Sequence, residues 1–247
     1  MTLTAGFVLV LGVVVCTLAG GAVPLHFERH ARTLLSFSAG TLVGLALLEL
    51  IPEGIEGSAG RVHPKLLAVL AGFLATMLLD KLHVLHPHAH EMDADCPPVE
   101  HVHRPLAMHG AIGLIVHSAL DGVALAAALR VSLATAIGVG VALSAHKFAD
   151  GITTVSLVLT HHHRKAQAVR LLLANAASLL VGFAVGSAVA LVEAQLAVLL
   201  LVMAGFFLYL GASDLIPSVT GTACRKRDVF ATACGMMAIA LVSFLSH

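Results

Sequence analysis

The chain has no tryptophan, one tyrosine and little charge. Only 11% of its 247 residues are Asp, Glu, Lys or Arg, against 58% hydrophobic ones. Soluble domains use roughly 25% charged and 45 to 50% apolar residues. Fourteen acidic and fourteen basic side chains are too few to coat a water-soluble particle of this size. Their balance leaves a formal net charge of zero, which removes the electrostatic case for nucleic-acid binding. The shortage of Trp and Tyr also removes the aromatic belt that often marks a membrane interface, so apolar runs must carry any membrane reading. The four cysteines, Cys16, Cys96, Cys224 and Cys234, form no C-x-x-C pair, which argues against a thiolate metal site or a redox motif. No charged n-region or A-x-A cleavage signal precedes Pro24, so the first apolar run reads as a helix of the protein rather than a signal peptide.

What is present is apolar length. Mean hydropathy is +0.96. Stretches at 4–23, 33–52, 65–82, 106–129, 132–158, 167–190, 195–216 and 228–246 are each long enough to cross a bilayer, which takes about 20 helical residues. They predict an all-α integral membrane protein of eight transmembrane helices, forming one transmembrane domain over residues 1–247. The breaks hold Pro, Gly and charge, and the longest, residues 83–104, is a His-rich loop. An even number of spans puts both termini on one side. Arg29, Arg32, Lys81, Arg104, Arg164, Lys165, Arg170, Arg225, Lys226 and Arg227 fall in one set of loops, and only Arg61, Lys65 and Arg130 in the other. The positive-inside rule therefore places both termini outside the cytoplasm, in a multi-pass protein of the plasma or inner membrane.

Two internal repeats run through the chain. Ala39-Gly40 precedes Glu49-Leu50-Ile51-Pro52 by the same interval that separates Ala204-Gly205 from Asp214-Leu215-Ile216-Pro217. The loop charges make the second and seventh stretches run in opposite directions, the trace of an inverted repeat. The other repeat pairs His117-Ser-Ala-Leu-Asp121-Gly122 with His146-Lys-Phe-Ala-Asp150-Gly151, on the fourth and fifth stretches.

Residues four apart stack on one helix face, so each H-x-x-x-D sets an imidazole beside a carboxylate. Two such faces make a four-ligand set, His117, Asp121, His146 and Asp150, suited to Zn²⁺, Fe²⁺, Mn²⁺, Co²⁺ or Ni²⁺. Avoiding sulfur favours release of the ion. A purely structural account would pair Lys147 with a carboxylate and leave the histidines to hydrogen-bond between helices. Two copies on adjacent spans favour function, since ionisable residues cost roughly 2.5 to 3.5 kcal/mol at a helix centre on insertion scales. Lys147 cannot ligate while protonated and would repel a second cation, which predicts a single-metal site with Lys147 as fixed counter-charge. Ser118 is an extra weak ligand or a packing hydroxyl. Glu49, Glu53 and Asp214, near helix ends, are candidates to receive or release metal. The histidines His83, His86, His88, His90, His101 and His103 read as a metal-collecting loop.

These residues resemble the ZIP (Zrt/Irt-like) family of metal transporters over essentially the whole chain. The likeness lies in SFSAGTLVGLALLELIPEG, HSALDGVALAAAL, HKFADG and AGFFLYLGASDLIPS, with the His-rich loop between the third and fourth stretches. It implies a 3+2+3 arrangement in which helices 1 to 3 relate to helices 6 to 8 by inversion, passage of metal into the cytoplasm, a homodimer, and metal residues at His117, Ser118, Asp121, His146 and Asp150. Zn²⁺ is the expected substrate, with Cd²⁺, Fe²⁺ and Mn²⁺ as alternatives. Many members have Asn after the first motif histidine, an acidic residue or Gln after the second, and a Glu on helix 6. Here those positions hold Ser118, Lys147 and the apolar stretch LLVGFAVG, which is similar to a subgroup with His-Lys on helix 5. Two other classes compete: a cation-diffusion-facilitator exporter, weakened by the absence of a soluble C-terminal domain, and a membrane zinc hydrolase, which needs an open coordination position and a general base.

Overall fold

The computed structural model describes residues 2–57, 60–84, 104–162, 164–189, 193–220 and 226–246. Every regular element among them is helical: α1 (Thr2–His26), α2 (Ala31–Leu45), α3 (Ile51–Glu56), α4 (Val62–Val84), α5 (Arg104–Val131), α6 (Leu133–His162), α7 (Lys165–Ala188), α8 (Glu193–Leu208), α9 (Ile216–Thr220) and α10 (Lys226–Ser246). A π-helical stretch, Ala46–Leu50, joins α2 to α3, and a second one, Tyr209–Leu215, joins α8 to α9. Helices are what a chain of this composition must form in lipid, where backbone N–H and C=O groups find partners only within the segment.

Polarity is distributed inside out relative to a soluble protein. Large apolar side chains face outward, among them Val8, Leu67, Val131, Phe230 and Phe244, while His117, Lys147, Asp150 and Asn175 are buried. Among the described residues, seven helical segments are long and apolar enough to cross a membrane: Thr4–His26, Glu28–Glu56, Val62–Lys81, Gly110–Val131, Lys165–Ala188, Ala194–Val219 and Lys226–Phe244. They define a multi-pass membrane protein. The long helix outside this set is α6, which has the length but carries His146, Lys147 and Asp150.

The two π-helical stretches answer the two Leu-Ile-Pro sequences. Proline has no N–H and its ring crowds the carbonyl four residues back, so the ladder must adjust before it. In both copies the residue before proline bonds five residues back, Ile51 to the Ala46 carbonyl and Ile216 to the Gly211 carbonyl. The Leu48 carbonyl, deprived of a donor by Pro52, accepts instead from the Ser243 hydroxyl at 3.2 Å.

The helix contacts come in matched couples. α2 packs on α10 as α8 packs on α4, and α1 packs on α6 as α7 packs on α5. Each crossing is made by two glycines. A Cβ on Gly40 would lie 2.0 Å from the Thr232 carbonyl oxygen, and one on Gly235 would lie 2.1 Å from that of Phe37. The α8/α4 crossing repeats this with Gly205 on the Val69 carbonyl and Gly72 on that of Val202. At α5/α7 the pair is Gly122 and Gly182, and at α1/α6 it is Gly151 and Gly20. Small residues let backbones close on each other where no hydrophobic drive between helices exists. The glycine after each motif aspartate is thus the contact that seats its helix.

Two apolar clusters hold the halves. Leu35, Leu42, Leu45, Phe207 and Leu210 fill the space between α2, α8 and α10. Val10, Val13, Leu125, Leu143, Leu179 and Phe183 fill that between α1, α5, α6 and α7.

Candidate metal centre

α5 and α6 pack directly against each other and bring their two motif faces together. His117 Nε2 lies 3.2 Å from Asp121 Oδ2, one turn along α5. His146 Nε2, from α6, lies 3.6 Å from the same oxygen. One ligand atom from each of His117, Asp121 and His146 falls within 4.8 Å of the others, and all three residues are buried. Such separations suit donors sharing one ion at about 2.0–2.2 Å each.

The histidines approach carboxylates without hydrogen-bonding to them. None of their four ring nitrogens has a hydrogen-bond partner among the described residues, although all are buried. Buried polar atoms are nearly always satisfied, so four unbonded nitrogens, three of them facing carboxylates, require an explanation. The rings are tilted to each other with centroids 5.9 Å apart, and Phe207 of α8 meets His117 edge to face at 4.8 Å. The Lys147–carboxylate pairing of the purely structural account is present, whereas its hydrogen-bonded histidines are not found among the described residues.

Asp150 is placed differently from its repeat partner. Lys147 Nζ sits 2.6 Å from Asp150 Oδ2 and 2.6 Å from Asp121 Oδ2, so one ammonium bridges both motif carboxylates. Asp150 stands 3.9 Å from His117 Nε2 and outside the His117, Asp121, His146 group. Lys147 is fully buried and, by residue volume, among the largest such side chains.

A relay of hydrogen bonds fixes that ammonium. Lys147 Nζ donates to Ser118 Oγ at 2.8 Å, and Ser118 donates to Asn175 Oδ1 on α7. Asn175 Nδ2 donates to Thr154 Oγ1 at 3.0 Å, and Thr154 donates to the Asp150 carbonyl at 2.8 Å. Ser118 therefore already uses its hydrogen and one lone pair. The stretch LLVGFAVG of α7 is apolar, and the polar residue that α7 supplies to the relay is Asn175, about one turn earlier. An Asn in an apolar run was the available signal.

The remaining candidates spread out. Glu49, in the first π-helical stretch, has Oε2 3.5 Å from His146 Nδ1. Glu53 lines a cavity of about 600 Å³ with Glu56, Arg130 and Thr135, at the ends of α5 and α7 and the start of α6. Asp214 is half-buried in the second π-helical stretch, away from the α5/α6 group. His83 lies in the final turn of α4, and His86, His88, His90, His101 and His103 lie outside the described residues.

Fold and site together define a multi-pass helical membrane protein with a buried imidazole and carboxylate cluster able to hold a metal ion. No protein-family model matches the chain. It is 26% identical to the zinc transporter ZIP4 of Rattus norvegicus over 275 residues, 85% of this chain and 41% of that protein. It is 27% identical to the zinc transporter YKE4 of Saccharomyces cerevisiae over 62% of this chain and 47% of that one. It is 26% identical to the zinc transporter ZIP9-B of Xenopus laevis over 92% of this chain and 88% of that one. The match spans less than half the length of the rat and yeast relatives. Over most of its length the chain is thus similar to proteins named as zinc transporters.

Proposed function

We propose that this protein carries a divalent transition metal, Zn²⁺ first among Zn²⁺, Cd²⁺, Fe²⁺ and Mn²⁺, across the membrane into the cytoplasm through one metal site between α5 and α6. The observation that carries the proposal is the group of His117, Asp121 and His146, whose buried ring nitrogens have no hydrogen-bond partner. The names of the relatives, all zinc transporters and none an enzyme, support the same substrate class.

In this reading the three residues bind the ion, and Asp150 joins them or holds Lys147, its charge shared between the two tasks. Lys147 stands as a tethered cation where a second ion would otherwise lie, and Ser118 supports it. Nitrogen and oxygen donors without thiolate suit a site that must let its ion go. Eight spans in a 3+2+3 arrangement are supported by the matched crossings, with α6 as the eighth. A single domain over 1–247, both termini outside the cytoplasm, a plasma-membrane location and a homodimer complete the proposal. Glu53 and Asp214 receive and release the ion at opposite ends, and the histidines of 83–104 collect it on the cytoplasmic side.

Uptake of radiolabelled Zn²⁺ by proteoliposomes tests the reading. Wild type accumulates the ion, and Asp121→Ala loses most of that uptake. Unchanged transport by Asp121→Ala overturns the site assignment.

A further inference from the structure

We propose that Glu49 is a positioning residue for the metal site, holding His146 by its Nδ1–H so that Nε2 presents its lone pair to the ion. The inference deepens the metal-site reading and rests on it.

The two nitrogens of His146 face different groups. Nε2 points into the cluster, 3.6 Å from Asp121 Oδ2, whereas Nδ1 points out of it toward Glu49 Oε2 at 3.5 Å. A neutral imidazole has one N–H and one lone pair, and a metal takes the lone pair. A carboxylate beside Nδ1 selects the tautomer in which that nitrogen keeps the proton, which orients the ring and makes Nε2 a better donor. The 3.5 Å separation is slightly beyond the roughly 2.7–3.2 Å of an N–H···O bond, a gap that a small rotation of either side chain closes. His117 differs: its carboxylate neighbours among the described residues face Nε2, and none stands beside its Nδ1.

Glu49 is built for this task rather than for gathering ions from water. Its side chain is only 12% exposed, and its Oε1 is buried without a hydrogen-bond partner. The residue sits in the π-helical stretch imposed by Pro52, on a helix that packs against α6. That stretch changes the angular register of α2 just where Glu49 meets His146, and Ser243 braces it from α10 through the Leu48 carbonyl.

Zn²⁺ uptake by Glu49→Gln and Glu49→Ala, beside wild type and Asp121→Ala, tests the idea. Removing such a support typically costs about 10- to 100-fold in metal affinity. Glu49→Ala is expected to raise KM for Zn²⁺ by about that factor. Glu49→Gln, whose amide oxygen accepts the same hydrogen, should stay within about threefold of wild type. The visible absorption of Co²⁺ bound to Glu49→Ala at saturation should match wild type, because no ligand is lost. Three results would overturn the proposal: Gln as damaging as Ala, Ala indistinguishable from wild type, or a Co²⁺ spectrum showing a missing ligand. Wild-type uptake by Asp121→Ala would remove the metal-site reading itself. Loss of uptake there with a silent Glu49→Ala removes only the positioning role.

Discussion

The Lys147 ammonium lies 2.6 Å from Asp121 Oδ2, a carboxylate oxygen that also belongs to the metal-ligand group. In the proposed site one anion would serve both a fixed cation and the transported one. There a bound ion would compete with Lys147 for Asp121, and Asp150, also 2.6 Å from the ammonium, would remain to hold the lysine. Sharing of this kind keeps a divalent site from binding its ion too tightly to release it.

Removing the lysine charge should destabilise the protein before it alters transport. Lys147→Met leaves Asp121 and Asp150 buried and unneutralised, and breaking a buried pair by deleting one partner costs about 3–5 kcal/mol. We expect a clear fall in thermal unfolding temperature in detergent without added metal, partly restored by Zn²⁺, which supplies the missing positive charge.

Reversing that charge should instead create room for a second ion. Lys147→Glu sets a third carboxylate beside Asp121 and Asp150, and equilibrium dialysis should then find two tightly held Zn²⁺ per chain where wild type holds one. Two ions in the wild type would refute the role of Lys147 as a tethered cation.

Asn175 is outside the group of His117, Asp121 and His146, yet it anchors the relay that fixes Lys147. In Asn175→Ala the Ser118 hydroxyl and Thr154 lose a buried partner, at about 1–3 kcal/mol for an unsatisfied group. Chemical or thermal denaturation should show that loss. Asn175→Asp, which keeps an acceptor for Ser118 but adds an anion, should retain much of the stability and tighten metal binding.

The glycine crossings predict a contrast within one substitution type. Gly122→Ala would put a Cβ 2.2 Å from the Leu179 carbonyl oxygen, whereas nothing lies within 4 Å of a Cβ on Gly12. We expect Gly122→Ala to separate α5 from α7, with a loss of at least the roughly 1–3 kcal/mol of ordinary overpacking. Gly12→Ala should be neutral or stabilising by up to about 1 kcal/mol. Equal unfolding temperatures for the two variants would contradict the close-approach reading.

The spans, the two H-x-x-x-D-G motifs and the Leu-Ile-Pro repeat follow from the sequence alone, because apolar length and i,i+4 spacing act within one helix. Lipid forces the helix, and the helix forces His117 beside Asp121 whatever surrounds them. Relations between helices are another matter. That Gly122 and Gly182 meet, that Asn175 reaches Ser118, and that Lys147 bridges Asp121 and Asp150 depend on crossing positions that no local period encodes. The same holds for Glu49: proline announces a disturbed helix, but the π-helical stretch shifts the register that residue counting assumes, so only the packed structure decides that this carboxylate faces His146. A pair that looks symmetric in sequence is made asymmetric by what α2 and α7 bring to each copy.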